Sequence, residues 1–90
     1  MKIFGKEFDV ALLSYEDKST EGNPHRKVSF TTGGEVYHYF YSGSPMMALS
    51  SVVKEDRETG ESEEVYSPWK HTPNGFYYEE IGRRLSVEQL

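Results

Sequence analysis

Lys27-Val28-Ser29-Phe30-Thr31-Thr32-Gly33-Gly34-Glu35-Val36-Tyr37-His38-Tyr39-Phe40-Tyr41 sets two runs of β-branched and aromatic residues around a Gly-Gly pair. Glycine adopts positive φ without steric cost, so this pair suits a tight primed turn, and the segment reads as a β-hairpin. A two-residue turn pairs Thr32 with Glu35, Phe30 with Tyr37 and Val28 with Tyr39. Side chains alternate along a strand, so Val28, Phe30, Tyr37 and Tyr39 share one face, the expected core face. Lys27, Ser29, Thr31, Val36, His38 and Phe40 share the other, which is mixed in character.

Similar punctuation extends outward. Downstream, Val52–Arg57 faces Glu61–Tyr66 across Glu58-Thr59-Gly60. A two-residue Thr59-Gly60 turn would oppose Asp56 to Glu63 and Glu55 to Glu64. A turn with Gly60 left-handed instead pairs Arg57 with Glu61, Lys54 with Glu64 and Val53 with Val65, and leaves one clash, Glu55 against Glu63. Opposite charges across strands are worth about 0.2–1 kcal/mol and like charges oppose pairing, so the second register is expected. Residues 45–58 also carry helical spacing at Met46, Leu49 and Val53, with Ser44 as a cap and Pro45 at the first helical position. The expected compromise is a short helix at 45–50, then a strand from 51. Thr72-Pro73-Asn74-Gly75 predicts a type I turn with a left-handed glycine, joining strands that end near His71 and begin at Phe76. Pro68 marks an edge, bulge or bend. Residues 76–86 have a rival helical pattern at Tyr77, Ile81 and Leu85, but Gly82 costs such a helix about 1 kcal/mol relative to alanine. A strand to Ile81 and a short helix over 83–90 are expected. Near the N-terminus, 8–15 reads as a strand and 17–25 as a loop.

The sum is a β-rich α+β fold. Five to six short antiparallel strands form a meander that closes into a small barrel or curls over a helix. The 90 residues make one domain, 1–90. No cysteine is present, which excludes disulfides, thiolate metal sites and cysteine nucleophiles. No apolar run approaches the ~20 residues of a membrane-spanning helix. The start, Met1–Lys6, lacks the apolar stretch of a secretory signal, so a cytoplasmic location is expected. Small size without disulfides points to aromatic packing, for which a 14% aromatic content is available, or to self-association.

Motifs of catalysis are lacking. Gly33-Gly34 has no following lysine and helix to make a phosphate loop, and no serine sits in a G-x-S-x-G context. His25, His38 and His71 have no metal-ligand spacing, although His38 would approach His71 if their strands were neighbours. The adjacent carboxylates Glu63-Glu64 and Glu79-Glu80 would point to opposite faces of a strand and form no dyad. The expectation is a protein that is not an enzyme and takes no cofactor or metal.

Two features remain. Glu55, Asp56, Glu58, Glu61, Glu63 and Glu64, against Lys54 and Arg57, concentrate −4 of the formal charge of −5 on one hairpin. Such a protrusion attracts a basic partner and repels phosphate backbones. The second feature is aromatic: Tyr37, Tyr39 and Tyr41, with Tyr66 and Trp69, offer a face for partner binding, since tyrosine and tryptophan are enriched at interfaces. In composition the chain resembles the short accessory proteins of phages and mobile elements, which are small, acidic, cysteine-free and tyrosine-rich. No residue role transfers through that resemblance; the acidic hairpin beside an aromatic-rich sheet is what suggests an inhibitor or modulator. The leading expectation is therefore a non-enzymatic module that engages a basic protein, with no membrane partner. Single-stranded nucleic acid or nucleotide binding by the Tyr37–Tyr41 strand is the alternative, disfavoured by the scarcity of contiguous cations. A structural homo-oligomer is the third reading.

Overall fold

The computed structural model describes residues 1–44 and 46–89. Its centre is the expected hairpin. β4 (His25–Thr32) and β5 (Glu35–Gly43) pair Thr32 with Glu35, Phe30 with Tyr37 and Val28 with Tyr39. Gly33 and Gly34 both hold positive φ, 60° and 79°, as the primed turn requires. β3 (Val10–Asp17), β6 (Ala48–Glu55), β7 (Ser62–Ser67) and β8 (Lys70–His71) complete an antiparallel sheet in the order β3-β4-β5-β6-β7-β8. The sheet is an open meander rather than a closed barrel. One helix, α1 (Gly75–Gln89), crosses one face, and a two-stranded hairpin, β1 (Lys2–Ile3) with β2 (Lys6–Glu7), packs beside it.

The core lies between the sheet and α1. Val28, Phe30, Tyr37, Tyr39 and Val52 come from the sheet, Ile81 and Leu85 from α1, and Ile3 from β1. Ring packing is close: Phe30 and Tyr37 stack at 5.6 Å between centroids, and Tyr37 and Tyr78 at 4.1 Å. Burial pushes the Tyr39 phenol up to about 12, with the Glu79 carboxylate adding to the shift. Tyr37 rises in the same direction through burial and its contact with Tyr78.

Four expectations are corrected. The first is the short helix at 45–50. Pro45 lies outside the described residues. Ser44 does cap a turn, with its Oγ accepting the N–H groups of Met46 and Met47. No helix follows. β6 begins at Ala48 and pairs with β5 from Gly43↔Ala48 to Val36↔Glu55, because a long ladder satisfies backbone groups that a single helical turn would leave open.

The second is the 76–81 strand. Thr72 C=O accepts the Gly75 N–H at 3.2 Å, as in the expected turn. Gly75, however, does not take a positive φ, so the right-handed turn continues into a helix far longer than the expected tail. Gly75, Glu79, Gly82 and Ser86 form the helix line nearest the sheet, and all four are buried. Glycine is required there for space. A Cβ on Gly75 would overlap the Val65 carbonyl, and one on Gly82 would overlap the Tyr39 ring. Thr72 Oγ1 donates to that same Val65 carbonyl at 2.6 Å and ties the helix start to β7.

The third is the β6–β7 register. The observed pairs are Lys54↔Glu63, Val53↔Glu64 and Glu55↔Ser62, one residue away from the expected ones. The reason is local. Asp56 Oδ1 accepts the Glu58 and Thr59 N–H groups, which builds a loop closed by the Asp56 N–H to the Glu61 carbonyl. Gly60 is left-handed at φ 75°, as expected. The surviving Glu55–Glu63 clash disappears. A bulge at Val65 then restores the expected alignment, Val52↔Tyr66. Pro68 marks a bend: Pro68-Trp69 is a two-residue turn between β7 and β8, stabilised by Ser67 Oγ, which accepts the Trp69 and Lys70 N–H groups.

The fourth is the first eight residues. Phe4, at φ 48°, and Gly5 turn the chain between β1 and β2, so the strand expected from Phe8 starts at Val10. Residues 18–24 are the expected loop, with one Thr20–Asn23 bridge inside it.

Candidate functional site

The face of the sheet opposite α1 carries no covering element among the described residues. Strand alternation puts Lys27, Ser29 and Thr31 of β4 on this face, with Val36, His38 and Phe40 of β5, Leu49, Ser51, Val53 and Glu55 of β6, and Glu64 of β7. Phe40, Leu49, Ser51, Glu64, Pro68 and Trp69 line a shallow groove of about 240 Å³ on it. Trp69, the only tryptophan in the chain, is 82% exposed at the tip of its turn, and Phe40 is 38% exposed. The Lys27 ammonium stands 5.7 Å from the Phe40 ring centroid on the far side.

The expected aromatic face is divided by the fold. Tyr37 and Tyr39 are core, 4% and 2% exposed, and unavailable unless α1 lifts away. Tyr41 and Tyr66 are half-buried and pack at the margin of the core; Tyr66 stacks on His71 at 5.0 Å. Only Trp69 faces solvent fully. Phe40 joins it across the open face, and the alternation of the hairpin had already placed it there, opposite to Tyr39.

The six acids are divided as well. Asp56 is engaged in its loop, and those backbone N–H groups hold its carboxyl below the ordinary 3.8. Glu55 Oε1 lies 3.4 Å from His38 Nε2. Glu63 faces Lys54 on the helix side. Glu58 and Glu61 are exposed at the loop, and Glu64 opens onto the groove. The uncommitted acids are thus Glu58, Glu61 and Glu64, at and below one end of the open face.

A lowered carboxyl pKa adds stability above the unfolded value and loses it as pH falls through the folded one. Asp56→Asn keeps the loop's acceptor and removes the titration. It is expected to soften the fall in melting temperature below pH 3.8, measured by thermal unfolding at a series of pH values. Asp17, lowered by Ser19, keeps part of the slope in the variant.

One array went unnoticed in the sequence. Ser29 Oγ and His38 Nδ1 are 2.7 Å apart, so with Glu55 they form a Ser–His–Glu line across β4, β5 and β6. The signal was present, since the Gly-Gly register places Ser29 opposite His38. Ser29 is 4% exposed, so its hydroxyl is out of reach of a substrate carbonyl, and the line acts as a polar tie between three strands. His38 does not approach His71, because β6 and β7 lie between their strands. Among the described residues no group of three or more His, Asp or Glu side chains could hold a metal ion. No helix among the described residues is long and apolar enough to cross a membrane.

Compared with protein-family models, with curated proteins and with solved structures, the chain gives no match. Its functional reading rests on this geometry.

Proposed function

We propose that the protein is a small binding module that engages a basic protein partner with the open face of its sheet. The observation that carries this reading is Trp69, almost fully exposed beside Phe40 and Leu49, with Glu64 in the same groove and Glu58 and Glu61 at the neighbouring loop. A solvent-facing indole costs the isolated protein apolar exposure, and tryptophan is prominent among residues that dominate interface energies. The acids supply attraction and orientation toward a cationic rim. Burial of Tyr37 and Tyr39 removes two of the three tyrosine rings that a nucleic-acid platform on β5 would use and leaves Phe40 and Tyr41 on opposite faces of the strand.

The test is affinity capture of partners from the native host by tagged protein, with Trp69→Ala and a Glu58→Lys, Glu61→Lys, Glu64→Lys triple variant in parallel. Both should stay folded, since these side chains are surface groups. Trp69→Ala should weaken a captured basic protein by roughly thirty-fold, the scale of an interface hot spot. The triple variant should lose it mainly through slower association, and the loss should resemble that caused by high salt. Retention of the same partner by both variants would remove the open face from the interface.

A further inference from the structure

On the helix side, away from the open face, a groove of about 400 Å³ runs between the C-terminal half of α1 and the ends of β4, β5 and β6. Arg26 and Arg83 line it, with Tyr39, Tyr41, Ser50 and Ser86. The volume falls at the small end of ligand pockets and exceeds that of a lone oxyanion.

The donors and acceptors here are unequally committed. The Arg26 Nε–H is buried and has no hydrogen-bond partner, and Asp17 Oδ2 stands at 3.6 Å, beyond bonding range. A buried donor left without a hydrogen bond is uncommon and costly, and a ligand oxygen beside it would satisfy it where the Asp17 carboxylate supplies only charge. The nearby carboxylates are already engaged. Asp17 accepts the Ser19 N–H; Glu79 Oε1 accepts both Arg83, at 2.6 Å, and Ser50; and Glu80 accepts Arg84. Arg83 remains 59% exposed; its Nη2 is held by Glu79 and its Nη1 lies 3.7 Å from Glu80 Oε1, outside hydrogen-bond distance, so a ligand would compete for Nη1 and approach from the solvent side of the guanidinium. The hydroxyl-bearing side chains of Tyr41 and Ser86 line the same space, and the Arg26 guanidinium sits 5.8 Å from the Tyr41 ring centroid.

From this we infer that the groove binds a phosphate group, held between the Arg26 and Arg83 guanidiniums. Guanidinium forks match phosphate oxygens in pairs, and two of them, with hydroxyls from a third side, suit a tetrahedral anion better than a planar one. The paired carboxylates leave the groove close to neutral, so recognition rests on directed N–H donors. The tyrosine rings and Val87 leave room for the organic part of a monoester.

The Arg26 Nε–Hε resonance in a ¹H–¹⁵N spectrum is the readout. Inorganic phosphate, phenyl phosphate and acetate are titrated separately, each balanced against sodium chloride of equal ionic strength. Saturable movement of that resonance with phosphate, and less with acetate, is expected. Tighter binding of phenyl phosphate identifies a monoester as the ligand form, and equal or tighter binding of inorganic phosphate identifies free phosphate. Both Arg26 variants lack that resonance, so their binding is followed through the Arg83 Nε–Hε resonance, first calibrated on the unaltered protein; Arg26→Gln should weaken binding roughly tenfold or more, the loss expected for a charge-assisted pair. Arg26→Lys keeps the charge beside Asp17 and should still lose several-fold through the missing fork, which provides a second variant if the first folds poorly. No phosphate-dependent movement beyond the chloride control, equal response to acetate, or undiminished affinity in both variants would overturn the assignment.

Discussion

Gly82→Ala is expected to destabilise the protein by about 2 kcal/mol, although the same change in an isolated helix would stabilise it by about 1 kcal/mol. The opposition of signs is what makes the measurement informative. A Cβ at position 82 would overlap the Cβ, Cγ and Cδ2 atoms of Tyr39, the rooted part of a ring that is 2% exposed. Tyr39 cannot turn aside, so α1 must rise from the sheet and loosen Ile81 and Leu85 on the way. For a domain of this size, each kcal/mol moves the melting temperature by about 4–8 °C, so thermal unfolding should show a clear drop. Loss of near-ultraviolet signal from packed tyrosines should accompany it. A rise in melting temperature would mean that α1 does not pack on Tyr39 as described.

Phe30→Ala should have the larger effect, about 3–5 kcal/mol. Phe30 is completely buried at the centre of the core, stacked on Tyr37, which in turn stacks on Tyr78 of α1. Its removal leaves a cavity between rigid rings that have little freedom to collapse. Domains of about 90 residues are stable by roughly 5–13 kcal/mol in total, so the variant should be marginal at 37 °C and unfold at much lower denaturant. Phe40→Ala provides the contrast. It lies in the same strand pair but on the open face, 38% exposed, and truncation there should cost far less stability. Equal losses at the two positions would contradict the division of the sheet into a packed face and an open one.

The central hairpin was legible because its determinants are local. Two glycines specify the turn, and period-two alternation specifies the faces, so Phe30 and Tyr37 could be paired and assigned to the core from sequence. The β6–β7 hairpin was only half legible. Charge pairing favoured Lys54 with Glu64, but the Asp56 side chain sets the loop by bonding Glu58 and Thr59, and a bulge at Val65 absorbs the difference. Those backbone bonds outweigh exposed charge pairs that are worth only tenths of a kcal/mol. The candidate site was partly legible. Trp69 and the loop acids Glu58 and Glu61 are exposed, while Tyr37 and Tyr39 turn inward and Phe40, on the opposite side of the same strand, faces the open side.

Residues 75–89 mark the boundary between the two kinds of information. Seen alone, Gly82 weakens a helix, and Thr72–Gly75 reads as a turn between strands. In the fold, the same glycines are the sites where α1 approaches Val65 and Tyr39 too closely for a side chain. Local chemistry sufficed for the antiparallel meander, its strongest turn and the concentration of charge, because turn dihedrals and strand alternation act over a few residues. The full length of the helix, its close approach to Val65 and Tyr39, and the Arg26–Arg83 groove required the folded chain, because each depends on contacts between segments distant in sequence, where burial and steric fit outweigh local propensity.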